Sequence, residues 1–119
     1  MCLAKVDPEP KTNRKSGYKV VRIVSNRICP EYGYSTVGYY EVGKWVEDPA
    51  DFIRNGYRTG FHIFLSLRGA ISWKGTGTCL EIRKVKFDDV VATGMQRDRY
   101  KEYRCVVARK ICIGKVINV

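Results

Sequence analysis

The chain has 119 residues, a formal net charge of +10, 45% hydrophobic residues and 12% aromatic residues. That is one domain's worth of chain, with too many aromatic residues for wholesale disorder. No apolar run reaches the roughly 18 residues of a membrane span, and segment 1–15 holds no stretch of signal-peptide type, so a soluble cytoplasmic protein is expected.

The charge is uneven. Seven basic residues face three acidic ones over 1–36, five face five over 37–82, and ten face four over 83–119. A solubility device would spread its charge. Concentration in the terminal thirds points to a basic face built where the chain ends meet.

Segment 1–17 reads as a flexible basic arm, because Asp7-Pro8-Glu9-Pro10 suits neither a regular helix nor a central strand. The remainder, 18–119, reads as a single domain. Residues 18–24 (YKVVRIV) predict a strand rich in β-branched and aromatic side chains. Ser25-Asn26 predicts a turn before Arg27-Ile28-Cys29. Tyr32, Tyr34, Tyr39 and Tyr40 then fall among Gly33, Gly38 and Gly43. They can stack on bases or cover a sheet edge. Residues 40–46 predict a short strand, and Asp48 the start of one helical turn over 49–53.

Residues 59–65 (TGFHIFL) predict a buried strand. Ser66 is placed to cap a short helix over 67–73, ended by Gly75-Thr76-Gly77. Residues 79–85 predict another strand, and a bulge near Arg83-Lys84 would reconcile its shifting apolar parity. Asp88-Asp89-Val90-Val91 reads as a turn or short helix, and 92–102 as a polar loop. Residues 103–108 and 111–117 read as a closing hairpin, with Arg109-Lys110 at its turn. The expected fold class is α+β: a mostly antiparallel twisted sheet with one short central helix.

An odd cysteine count, five, argues against a disulfide framework. Cys79, Cys105 and Cys112 read as buried small hydrophobes, and Cys2 as an N-terminal thiol with no activating partner. No C-x-x-C pair occurs and His62 is the sole histidine, so no metal and no cofactor are expected. Any nucleophilic triad would have to use His62. Gly75-Thr76-Gly77-Thr78 follows a helix and lacks the P-loop lysine, so it reads as a turn. No catalytic residue is assigned, and a non-enzymatic role is expected.

The basic set is the strongest signal. Arg83, Lys84, Lys86, Arg97, Arg99, Lys101, Arg104, Arg109 and Lys110 gather on the C-terminal strands and loops, with Tyr100 and Tyr103 interleaved. A pI near 9.6 exceeds the value of about 9 that marks nucleic-acid-binding domains. Lysines and arginines would contact phosphates, and Tyr100 would stack on a base.

The segments Tyr40-Glu41-Val42-Gly43-Lys44-Trp45 and Gly60-Phe61-His62-Ile63-Phe64 resemble those of small phage and prophage proteins. That resemblance implies a mobile-element origin and action in the host cytoplasm. It implies antagonism of a host defence such as CRISPR as the role, and the basic face makes nucleic acid, RNA or DNA, or a host ribonucleoprotein the expected partner. A second resemblance, of the strand-to-helix segment 60–73 and of CLEIRKVKFDDVV, is to a minimal ADP-ribosyltransferase-like fold. It implies a nucleotide pocket near Arg22, Tyr40, His62, Ser66 and Glu102, serving an enzyme or a sponge for a nucleotide signal.

Overall fold

The computed structural model describes residues 3–31 and 38–118. In chain order the elements are β1 (Lys5–Val6), β2 (Ser16–Val24), β3 (Arg27–Pro30), β4 (Trp45–Glu47), β5 (Ile53–Arg54), β6 (Tyr57–Arg58), β7 (Phe61–Phe64), α1 (Leu67–Lys74), β8 (Leu80–Asp98) and β9 (Lys101–Ile117). All strand pairings are antiparallel. The architecture is thus a mostly antiparallel sheet with one short helix, as expected.

The β8–β9 ribbon is the frame. Its two strands pair from Ile82↔Ile117 to Asp98↔Lys101. β2 lies on the other edge of β8, from Ser16↔Lys86 to Arg22↔Leu80. β7 lies on the other edge of β9, from Phe61↔Ala108 to Phe64↔Cys105. β2 and β7 then meet at one register pair, Tyr18↔Phe64, which closes the path into a ring. At that seam the backbones approach so closely that a Cβ on Gly17 would fall 2.6 Å from the Phe64 carbonyl oxygen. Two cations extend the seam where backbone pairing stops. Lys19 Nζ donates to the His62 carbonyl at 3.0 Å, and Arg14 donates to the Leu65 carbonyl at 3.2 Å.

The ring strands carry apolar residues on both faces. Val21, Phe61, Ile63, Val85, Phe87, Val106, Ala108, Ile111 and Ile113 form one core. Val20, Phe64, Ile82, Ala92, Cys105 and Val107 form a second, joined by Ala70 of α1. This explains the parity shift within β8: Ile82 serves the second core, while Val85 and Phe87 serve the first. The register does shift between Arg83 and Val85. Helix α1 starts as its sequence indicates, with Ser66 Oγ accepting from the Gly69 amide at 3.1 Å. Gly75 ends it at φ 59°, a left-handed value that costs glycine little.

Several expectations fail. The loop expected over 92–102 is strand on both sides of a two-residue turn. Its cations Arg97, Arg99 and Lys101 are exposed near the turn, whereas Thr93 and Gln96 are buried polar residues. Asp88–Val91 is also strand, with a second register shift between Val90 and Ala92. The expected closing hairpin is instead one continuous strand, β9, running through Arg109-Lys110. Apolar parity flips there, from Val106 and Ala108 to Ile111 and Ile113, and a flip resembles a turn in one dimension. Residues 49–53 form no helical turn. Asp48 Oδ1 instead accepts from the Ala50 amide at 3.0 Å, the bond of an Asx turn.

The arm is docked rather than loose. β1 pairs with Met95 and Gly94 of β8, and the Lys11 amide donates to Thr93 Oγ1 at 2.9 Å. The first and last thirds of the chain therefore lie side by side. Tyr32 and Tyr34 lie outside the described residues, as does Cys2.

Candidate nucleic-acid interface

The ribbon ends in the two-residue turn Arg99-Tyr100, beyond the pairs Arg97↔Glu102 and Asp98↔Lys101. Tyr100 is 100% exposed. Arg99 holds a left-handed backbone, φ 55°, which a non-glycine residue adopts at a cost. The tip is braced at its base. The Asp98 carboxylate accepts from the Ser72 hydroxyl of α1. Burial nudges the Glu102 carboxyl upward, but hydrogen bonds from Lys5 and Arg97 outweigh it and hold it below its ordinary range. Both cations sit 3.3 Å from that carboxylate. Arg99 and Lys101 are exposed, and no acidic partner holds either among the described residues.

A second cationic group lies toward the other end of the ribbon. β4 pairs with β9 next to where β9 pairs with β8. Two cross-strand rows result: Trp45, Cys112 and Lys86, then Glu47, Lys110 and Asp88. Residues two apart on a strand share a face, so both rows occupy one surface. Lys84 continues it, with Nζ 4.5 Å from the Tyr18 ring centroid, a cation–π contact. Trp45, 54% exposed, stands at the edge. A groove of about 370 Å³ runs past Trp45, Val46, Glu47, Asp88 and Lys110.

The predicted basic set therefore divides by what each cation already holds. Arg109 is 3% exposed, and its guanidinium donates to the carbonyls of Asp48, Ala50 and Thr59 at 2.6, 2.6 and 2.7 Å. It is a strut for the segment before β5 and cannot reach a phosphate. Arg104 is clamped on Asp7. Arg83 is held by Glu81 at 3.1 Å and donates to the Gly114 carbonyl at 3.2 Å. Arg97 is half-engaged through Glu102. Arg99, Lys101, Lys86 and Lys110 are exposed and outside the ion pairs found among the described residues, so they are free to meet an anion.

The residues named for a nucleotide pocket do not converge. Arg22 is exposed on β2, opposite Cys29 and Leu80. Tyr40 is buried edge-on against Phe61, its phenol pushed up mainly by burial. His62 points away from that core, with its ring 6.3 Å from Tyr57. Burial, aided by the Lys19 ammonium, brings the His62 imidazole down to about 3, so it stays neutral at physiological pH. Ser66 caps α1 and Glu102 sits near the ribbon tip.

Cys105 is buried and its thiol is pushed up to about 12 by that burial. Cys112 is half-buried, whereas Cys79 is exposed, contrary to expectation. No group of three or more potential ligands for a metal ion occurs among the described residues. None of their helices is long and apolar enough to cross a membrane.

Trp45, Glu47 and Asp88 escape a sequence reading centred on cations. The signal was present in Trp45-Val46-Glu47, where alternation puts the large indole on the same side as a carboxylate, facing out. Comparison with known protein families, with curated proteins and with solved structures finds no match to this chain.

Proposed function

We propose that this chain is a nucleic-acid-binding protein that presents the β8–β9 tip to single-stranded RNA or DNA, free or within a host ribonucleoprotein. One observation carries the reading: a fully exposed Tyr100 stands between the unpaired cations Arg99 and Lys101 on a braced turn. An exposed tyrosine ring cannot be explained by packing. Beside two free cations it is the arrangement that stacks on an unpaired base while neutralising its flanking phosphates. Lys84 and Lys86 offer a second set of phosphate contacts along the same ribbon.

The test is fluorescence anisotropy with labelled single-stranded oligonucleotides over a salt series. Each phosphate contact on a single strand contributes about −0.7 to the slope of log affinity against log salt. Arg99→Glu with Lys101→Glu should flatten that slope by about 1.4 and weaken binding. Tyr100→Ala should weaken binding without changing the slope. Binding that ignores both salt and these substitutions overturns the reading.

A further inference from the structure

We infer that the groove beside Trp45 is a subsite for a guanine base, with Trp45 as its stacking face and Glu47 as the acceptor for its Watson–Crick edge. The inference rests on the nucleic-acid reading but uses residues that the tip does not. The groove differs in chemistry from the rest of this basic chain. Glu47 and Asp88 flank Lys110 in one cross-strand row, so the groove itself carries one excess negative charge. A phosphate is disfavoured there. A flat group with hydrogen-bond donors is favoured.

The geometry fits a base. Trp45 and Glu47 lie on one strand face two residues apart, about 6.8 Å along an antiparallel strand. A ring stacked on the indole therefore has the Glu47 carboxylate on the same face, one side chain along. The two carboxylates are not equivalent. Asp88 Oδ1 already accepts from the Asp89 amide at 2.9 Å. Glu47 has no partner among the described residues, so both its oxygens are available.

A carboxylate with two free oxygens matches two adjacent donors. Guanine supplies them at N1–H and its 2-amino group, whereas adenine and cytosine each present a single amino donor there. Lys86, in the row of Trp45 but outside the groove lining, is available to the attached phosphate.

The experiment follows the two indole N–H resonances of isotope-labelled protein during titration with GMP, IMP and AMP. Trp73, whose Nε1 donates to the Glu31 carboxylate at 2.9 and 3.0 Å, serves as the internal control. GMP should shift the Trp45 resonance and leave Trp73 in place. IMP, which lacks the 2-amino group, and AMP should bind about tenfold more weakly, the loss of one good hydrogen-bonded pair. Glu47→Gln should erase the preference of GMP over IMP, and Trp45→Ala should abolish binding; both sites are exposed, so folding is spared.

Equal response to all three nucleotides, no response to millimolar GMP, or an unchanged preference in Glu47→Gln overturns the inference. The oligonucleotide assay on the tip variants separates the two readings. Salt-dependent oligonucleotide binding without GMP preference sinks the guanine subsite alone. GMP preference without any effect of the tip substitutions sinks the tip reading alone.

Discussion

Asp7 and Arg104, 97 residues apart in sequence, meet as a two-point carboxylate–guanidinium pair. The same carboxylate accepts from the Thr93 hydroxyl at 2.6 Å. The Thr93 bond first, and then Arg104, hold the Asp7 carboxyl below its ordinary range. This clamp fixes the arm along β8. Because the folded value lies below the unfolded one, the clamp is intact above the ordinary aspartate range and is lost as pH falls through the lowered value. Hydrogen exchange of the Ala4, Asp7 and Lys11 amides, taken relative to the intrinsic rate at each pH, should therefore accelerate under acid before that of the ribbon amides. Asp7→Asn should give the same acceleration at neutral pH. Gly94→Ala should do so by a different route, since its Cβ would fall 1.9 Å from the Lys5 carbonyl oxygen.

Arg99 is held in a backbone conformation suited to glycine. Arg99→Gly should leave stability unchanged or raise it by up to about 1 kcal/mol. The same change should weaken oligonucleotide binding and flatten the salt slope by about 0.7, one phosphate contact. Urea unfolding and anisotropy on the same variant check both arms. A residue whose removal helps the fold and harms binding is kept for binding.

Arg109 should behave in the opposite way. Arg109→Ala leaves the carbonyls of Asp48, Ala50 and Thr59 without their donor in a buried setting. The expected cost is on the order of 3 kcal/mol in urea unfolding. Lysine should not rescue it, because one ammonium cannot reproduce the planar fork that serves three carbonyls. The salt slope of binding should stay as in the parent protein.

The neutral His62 imposes a pH dependence on stability. Its imidazole lies near 3 in the fold and near 6.5 in the unfolded chain. Between those values the unfolded chain binds the extra proton, so stability falls as pH drops from about 6.5 toward 3, by at most about 1.4 kcal/mol per pH unit. Lys19 acts in the same sense at higher pH. Burial brings its ammonium down to about 8, so stability should rise between about 8 and its unfolded value near 10.4. Urea midpoints measured across pH for the parent and for His62→Gln should differ in the lower window and coincide in the upper one.

Local features of this fold were legible in the residues. Residues 18–24 lie within β2, 59–65 span β7, and Ser66 caps α1 as its position before Leu67 indicates. The parity shift near Arg83 correctly flagged a register irregularity. What was illegible depends on partners distant in sequence. Nothing near Arg109 reveals that the loop before β5 will bury it, so a charged pair between two apolar segments reads as a turn rather than as the middle of β9. The Asn55-Gly56 turn of the β5–β6 hairpin is a local feature too, since both residues take the positive φ that such turns require, 58° and 88°. For the candidate site, Arg99, Tyr100 and Lys101 were identifiable from alternating cations around an aromatic residue. The Trp45 groove was not, because β4 and β8 are neighbours only through β9.

The β2–β7 seam gives two of the cations a different meaning. A backbone ladder is indifferent to side-chain identity, so point substitutions seldom unzip a sheet. Here the ladder narrows to Tyr18↔Phe64, and Lys19 and Arg14 supply the donors on either side. Replacing both would leave two carbonyls of the β7 side without their side-chain donors and the seam resting on one backbone pair and the cores beneath it. Two residues that look like spare charge on a basic protein thus help to hold its sheet closed.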